Sequence, residues 1–486
     1  MTYSQNRTDN MLVRNQAYIG GAWVDSTTAK SFAVTNPASG ARIAMVTDCG
    51  APEARQAIEV AASALEDWKL RPATERASIL RAWYDEVDKH HDSLASLMTA
   101  EQGKPLGEAA SEVRYGANYL AYYAAEAERI AGDLLTNGPN SESRIHQVPV
   151  GVVAIITPWN FPLAMIARKV APALAAGCTV IIKPAEDTPL TALALAVLAE
   201  QAGVPAGVVN VLPTSNPTPL AQVLLDSMVV RKLSFTGSTA VGKLLMRESA
   251  ETLKRLSLEL GGNAPFIVFQ NADLDGAVAG AMQGKFRNAG QTCICPNRFL
   301  VHEKFVDAFT EKLMDRMAAL IVGPGNKDGT DIGPLINEAA AKKVDDLIAD
   351  AVTKGAQLVM GGKRSALGGT YFEPTLLTGC KPSMDLWRQE IFGPVVAITT
   401  FASEREALEM ANDTDAGLAA YFYSNNVGQI RRVSAALHSG MVGINTGAIS
   451  DHRAPFGGVG ASGFGREGGP YGIEEYLTTK YLRQQF

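Results

Sequence analysis

The stretch Gly151-Val152-Val153-Ala154-Ile155-Ile156-Thr157-Pro158-Trp159-Asn160-Phe161-Pro162 decides how this chain folds. Val152 to Ile156 is a short apolar run, the signature of a buried strand, and it ends in a Pro-containing turn before a helix-length segment, Pro162 to Ala176. The alternation then repeats: strand Thr179 to Ile182, helix Pro189 to Gln201, strand Val208 to Leu212 and strand Leu233 to Phe235. Strands separated by helical crossovers imply a parallel sheet with ligands at the carboxyl ends of its strands. The pattern restarts after Leu258 with the strand Phe266 to Phe269, the helix Leu274 to Phe286, the strand Phe299 to Val301 and the helix Lys304 to Leu320. A boundary is therefore expected near Gly261-Gly262.

Upstream, Ala17 to Asn36 reads as an edge meander, and Pro52 to Leu70, Pro72 to Met98 and Gly107 to Ile130 read as three long helices, the first two with Pro near the start. Gly132 to Pro149 breaks the helical pattern, with Gly138-Pro139-Asn140 as a turn and Arg144 to Val148 as a strand. At the other end Tyr476 to Arg483 is strand-like and apolar enough to favour pairing with another subunit.

The chain has 486 residues, more than one ordinary core accommodates. With 47% hydrophobic and 19% charged residues it has the composition of a globular protein, and its formal net charge of −6 argues against a nucleic-acid partner. Five dispersed cysteines (Cys49, Cys178, Cys293, Cys295 and Cys380) form neither a disulfide framework nor a metal-ligand pattern, so no metal is expected. Met1 to Asn15 is polar, without the apolar segment of a signal peptide or anchor, and no apolar run spans a bilayer. A cytoplasmic location is the expectation.

Five local patterns carry chemistry, and each has a plain alternative. Cys293 and Cys295 flank one residue in Gly290-Gln291-Thr292-Cys293-Ile294-Cys295-Pro296, a polar, backbone-rich setting that suits a nucleophilic thiol, although most free cysteines are buried small hydrophobes. Glu259, between two leucines and before Gly261-Gly262, is either a general base whose affinity for protons burial raises or a strand-end carboxylate reaching solvent. Asn160 offers an amide N–H to an oxyanion or caps a helix. Lys183-Pro184-Ala185-Glu186 and Phe235-Thr236-Gly237-Ser238 follow strands, where a ribose and a phosphate are received; a solvated loop and a tight turn are the alternatives.

Taken together, Thr157–Pro162, Lys183–Glu186, Phe235–Lys243, Glu259–Gly262, Gly290–Cys293, Glu390–Pro394 and Pro455–Gly458 resemble the NAD(P)-dependent aldehyde dehydrogenases, in order and over nearly the whole chain. That resemblance implies an α/β protein with a Rossmann-like parallel-sheet cofactor domain (1–131 and 151–260), a second α/β catalytic domain (261–465) and a small β oligomerisation arm (132–150 and 466–486), assembled as a homodimer or homotetramer. It implies that Cys293 attacks the aldehyde, that the Asn160 amide and the Cys293 N–H hold the oxyanion, that hydride leaves for the nicotinamide and that Glu259 activates the water that hydrolyses the thioester. Thr157, Pro158, Trp159, Lys183, Glu186, Thr236, Gly237, Ser238, Leu260, Glu390 and Phe392 would hold the cofactor. Glu186 favours NAD, since a carboxylate repels a 2′-phosphate; NADP is the alternative.

The closest resemblance is to the succinate-semialdehyde dehydrogenase branch. Arg168, Arg287 and Ser450 would read the substrate, the two guanidiniums clamping an anionic tail where relatives that oxidise neutral aldehydes look aromatic. Structural ion pairs are the alternative for both arginines. Asp451-His452-Arg453 departs from the branch, and an Asp facing the pocket weakens carboxylate binding unless Arg453 neutralises it or Asp451 points away. Glutarate semialdehyde, 2-oxoglutarate semialdehyde and phosphonoacetaldehyde are accordingly the other substrates considered. Cys295 is a candidate redox partner of Cys293. A CoA-acylating relative is disfavoured by the presence of Glu259, and a catalytically silent homologue, kept for binding or structure, by the presence of Cys293, Glu259 and Asn160 together.

Overall fold

The computed structural model describes residues 12–486, so the polar start of the chain lies outside the described residues up to Met11. An eight-stranded sheet has the spatial order Ala22–Val24, Ala17–Ile19, Val209–Val211, Thr179–Lys183, Val152–Ile156, Val230–Thr236, Arg255–Glu259 and Gly463–Phe464. Its inner strands are parallel and only the edges add antiparallel partners. From Val152–Ile156 the chain runs outward on one side through the next two strands, then returns to the other side at Val230–Thr236. This reversal is the switch point at which open α/β sheets leave a crevice. The registers Ile156↔Lys183, Ile156↔Phe235 and Thr236↔Glu259 bring four strand ends into one row, so residues far apart in sequence share one edge.

A seven-stranded sheet follows the order Gln357–Met360, Thr375–Thr378, Val395–Phe401, Pro296–His302, Ala264–Val268, Ala419–Tyr423 and Met441–Ile444, parallel except at its first pair. The cysteine loop enters the strand Pro296–His302 at its amino end, and the close of the first sheet, Glu259, leads through Gly262 to the amino end of Ala264–Val268. Gly262 is required there: a Cβ would stand 2.3 Å from the Cys293 carbonyl oxygen. Gly463–Phe464, inside the span 261–465 read from sequence as catalytic, hydrogen-bonds back onto the first sheet.

Leu477–Gln485 pairs antiparallel along the whole of Ser141–Pro149, and Asp133–Thr136 adds a third strand that the sequence reading did not anticipate. Gly138-Pro139-Asn140 lies in the connection, as its turn chemistry requires. The segment read as one helix from Pro72 to Met98 is two, Ala73–Lys89 and His91–Gln102. His90 leaves helical geometry (φ −103°, ψ 19°) and its Nδ1 lies 2.9 Å from the Glu86 carbonyl, while the apolar period persists across the break because both helices pack on the same core. Among the described residues no helix is long and apolar enough to cross a membrane.

A buried ion pair anchors the entry to the site. Lys104 Nζ lies 2.5 Å from Glu112 Oε2, both buried, and donates to the Asn160 carbonyl at 2.7 Å. Glu112 Oε1 accepts from the backbone N–H groups of Leu163 and Ala164 at 3.0 and 3.2 Å, and so caps the helix Ala164–Ala176. Lys104→Met leaves this carboxylate without its cation; a loss of about 3–5 kcal/mol of stability is expected, seen as a lower thermal midpoint.

Candidate active site

The cysteine loop is held in a costly shape. Asn288, Ala289 and Gly290 have consecutive positive φ angles of 52°, 55° and 77°, and a left-handed non-glycine residue costs on the order of 1–2 kcal/mol. Asn288 tolerates this best and is tied down on every side. Gln102 Nε2 donates to its Oδ1 at 3.0 Å, its own Nδ2 donates to the Asn160 carbonyl at 3.0 Å, and its backbone N–H donates to Glu108 Oε2 at 2.7 Å. Gln291 locks the next turn, accepting from Ile336 N–H at 2.9 Å and donating to the Asn288 carbonyl at 3.1 Å. A Cβ at Gly290 would meet the Gly393 carbonyl oxygen at 2.2 Å, so only glycine lets the loop close against that segment.

Cys293 is half-buried at the end of this loop. Burial pushes its thiol up to about 12; the Arg168 guanidinium works in the opposite direction. Asn160 Nδ2 donates one hydrogen to the Gln291 carbonyl at 3.1 Å. Its second amide hydrogen has no partner among the described residues. Glu259 is 2% exposed and neither carboxylate oxygen has a hydrogen-bond partner among the described residues. Burial, reinforced by the negative charge of Glu467, holds its carboxyl well above the usual range. A Cβ at Gly457 would come within 2.9 Å of Glu259 Oε1, so this glycine leaves the carboxylate its space.

Glu467 was not singled out from sequence, nor were Lys104, Glu112 and Asn288. Buried Glu467 pairs with both Arg168 and Lys169, placing three charges behind Glu259. Arg168 thereby stands between the two roles weighed for it: Glu467 balances its charge through Nε, yet Nη2 is buried without a hydrogen-bond partner among the described residues. Arg287 is exposed, in no ion pair among the described residues, and lies 4.8 Å over the Phe161 ring. Ser450 is half-buried on the adjoining loop. Asp451 is answered by Arg453, which donates to both its oxygens at 3.0 and 2.7 Å and holds its carboxyl far below the ordinary range. The carboxylate that casts doubt on an anionic substrate is neutralised by its neighbour.

Cys295 is a free thiol, buried, and its Sγ lies 3.7 and 3.6 Å from the carbonyl oxygens of Lys285 and Pro296. No group of His, Cys, Asp and Glu suited to a metal occurs among the described residues.

Along the row of strand ends, Lys183 Nζ lies 3.1 Å from Glu186 Oε2, and Glu186 is half-exposed. Thr157, buried, donates its N–H to the Lys183 carbonyl at 3.2 Å, with Pro158 and Trp159 half-open beside it. Gly237 N–H donates to the Glu259 carbonyl, and Ser238 caps the helix Thr239–Glu248 through Val241 N–H at 3.3 Å. Thr236 Oγ1 is buried with no hydrogen-bond partner among the described residues, and Leu260 packs against Gly242. Glu390 Oε1 accepts from Gly262 N–H at 3.1 Å, and burial pushes its carboxyl up to about 7. Phe392, at φ 57°, stands edge-on to Trp159 at 5.5 Å. A helix start, an orphaned hydroxyl and two carboxylates along one crevice fit a dinucleotide with two riboses and a pyrophosphate.

The model of the aldehyde dehydrogenase family matches residues 23–482. The chain belongs to this family. The enzyme is 51% identical over 476 residues to the 3-sulfolactaldehyde dehydrogenase of Pseudomonas putida, covering 98% of each chain. It is likewise 51% identical over 476 residues to the NADP(+) succinate-semialdehyde dehydrogenase of Escherichia coli, again covering 98% of each. The crystal structure of succinate-semialdehyde dehydrogenase from Burkholderia pseudomallei superposes with a TM-score of 0.97 at 53% identity, covering 100% of each chain. The enzyme therefore has the family's α/β fold and uses NAD(P).

Proposed function

We propose that this dehydrogenase oxidises a semialdehyde with an anionic tail, succinate semialdehyde before others, to the corresponding acid. The observation that carries this reading is that Arg168 Nη2 and Arg287 offer uncommitted guanidinium donors and both act electrostatically on Cys293. The substrates named for the Pseudomonas putida and Escherichia coli relatives are also aldehydes with an anionic end. A sulfonate tail is the second reading, favoured by the Pseudomonas putida relative.

In this mechanism the Cys293 thiol gives up its proton to water, its sulfur attacks the aldehyde carbon, and the electron pair of the carbonyl bond moves to the oxygen, which becomes an oxyanion. The free Asn160 amide hydrogen and the Cys293 N–H stabilise that charge. Lys183 and Glu186 would hold NAD(P) at the adenosine ribose, Thr236, Gly237 and Ser238 near the pyrophosphate and Glu390 and Phe392 at the nicotinamide ribose, and the bound cofactor would supply the acceptor for the hydride that leaves the former aldehyde carbon. Thr157, Pro158, Trp159 and Leu260 line the same crevice. Glu259 then takes a proton from water, which adds to the thioester; the acid leaves and the Cys293 sulfur regains a proton. The half-exposed Glu186 carboxylate supports NAD over NADP, whereas the Escherichia coli relative carries NADP(+) in its name.

The span 132–150 with 466–486 is the proposed assembly surface of a homodimer or homotetramer, supported by the exposed Leu134, Leu135, Tyr481 and Phe486. The proposed domains otherwise follow the two sheets. All five cysteines are free thiols, in keeping with a cytoplasmic enzyme.

Initial rates for ω-carboxy, sulfonate and neutral aldehydes with NAD and NADP test the substrate and cofactor assignments. In Arg287→Leu the KM for succinate semialdehyde is expected to rise about tenfold or more, the size of one lost charge-assisted contact, and that for butanal far less. Equal rises for both aldehydes would remove the clamp.

A further inference from the structure

Tyr115 and Tyr119 stand four residues apart on the helix Leu106–Ala127, which puts both rings on one face. Their hydroxyl oxygens lie 2.7 Å apart. Two hydroxyls carry two protons, and only one is used between them. Neither hydroxyl has another hydrogen-bond partner among the described residues, so the second proton is uncommitted.

The pair borders the space read as the substrate's. Tyr119 is fully buried, whereas Tyr115 is half-buried and packs against Phe161, Ala164 and Met165. Phe161 follows Asn160 and is the ring under Arg287. Burial acts most on the Arg168 guanidinium, and Glu467, Tyr119 and Tyr115 all lie within its electrostatic reach. The ring of His452, next to Ser450 and Asp451, meets Tyr119 edge-on at 6.2 Å and closes the other side.

We propose that the Tyr115–Tyr119 hydroxyl pair determines specificity by donating its spare proton to the substrate's anionic tail, the third donor beside Arg168 Nη2 and Arg287. A carboxylate or sulfonate has enough lone pairs to accept from all three. An alkyl tail displaces water from the spare O–H and returns nothing, so the pair discriminates against neutral aldehydes as well as favouring charged ones. The assignment rests on the anionic-tail reading.

Steady-state kinetics on Tyr115→Phe, with succinate semialdehyde and butanal under saturating NAD, tests it. The ratio of kcat/KM for the charged over the neutral aldehyde is expected to fall about tenfold, the size of one hydrogen bond to a charged group, with the loss in KM and not in kcat. Tyr119→Phe, which removes the partner hydroxyl, carries the same comparison if the first variant does not fold. An unchanged ratio in Tyr115→Phe, while Arg287→Leu lowers it, overturns the hydroxyl assignment and leaves the anionic tail standing. If neither variant changes the ratio, both readings fall. Equal losses on the two aldehydes, with a lowered thermal midpoint, assign the pair to packing alone and also overturn the proposal.

Discussion

Cys293→Ala loses aldehyde oxidation by a factor on the order of 10⁴ or more, because no other group can form the covalent intermediate. Cys295 cannot substitute: its thiol is buried among the carbonyls of Lys285 and Pro296. Cys293 is not among the residues proposed to hold the cofactor, so NAD titrated calorimetrically is expected to bind the variant with an affinity close to that of the parent. Retained turnover would end the assignment of the nucleophile. Joint loss of turnover and of NAD binding would show instead that the strained Asn288–Gly290 loop had collapsed.

Glu259→Gln separates the two halves of the reaction. The first turnover forms one reduced cofactor per active site and then stops, because the thioester waits for a water that nothing deprotonates. A fall of roughly 10²- to 10⁴-fold in the steady state is the size of a lost general base. The pH dependence has a definite sign. Burial and the nearby Glu467 carboxylate hold the Glu259 carboxyl well above its ordinary value, and only the ionised form can accept a proton. Hydrolysis in the parent enzyme therefore rises with pH up to that raised value, and the rise is absent in Glu259→Gln. Stopped-flow burst kinetics across the pH range check both statements. A variant with no burst would move Glu259 to the oxidative half.

The alternation of strands and helices from Val152 to Leu320 needed no tertiary information, whereas the strands from Gln357–Met360 to Met441–Ile444 were not read from the sequence. Short apolar runs ended by Gly and Pro, with helix-length segments between them, dictate parallel sheets, and the steric rules of crossover connections leave few ways to arrange them. The helix break at His90 escaped this reading because apolar period reports which face is buried, and two helices on one core keep a common face. Cys293, Glu259 and Asn160 were each ambiguous alone; the ordered set of motifs to which they belong, and not any one residue, made the chemistry legible.

Charges behaved differently. The sequence by itself determined the first sheet, the proposed nucleophile, base and oxyanion amide, and the presence of two arginines between Asn160 and Cys293. Whether those arginines are free was decided only by the tertiary structure. Lys169, beside Arg168, meets Glu467 across 298 residues, and Lys104 reaches the Asn160 carbonyl across 56. The Arg168–Glu467 pair, the Asp451–Arg453 pair and the Tyr115–Tyr119 pair set what the site offers a substrate. The physical reason is that a hydrophobic run carries its own burial in its period, whereas a buried charge or hydroxyl depends on partners within a few ångströms, which local sequence does not record.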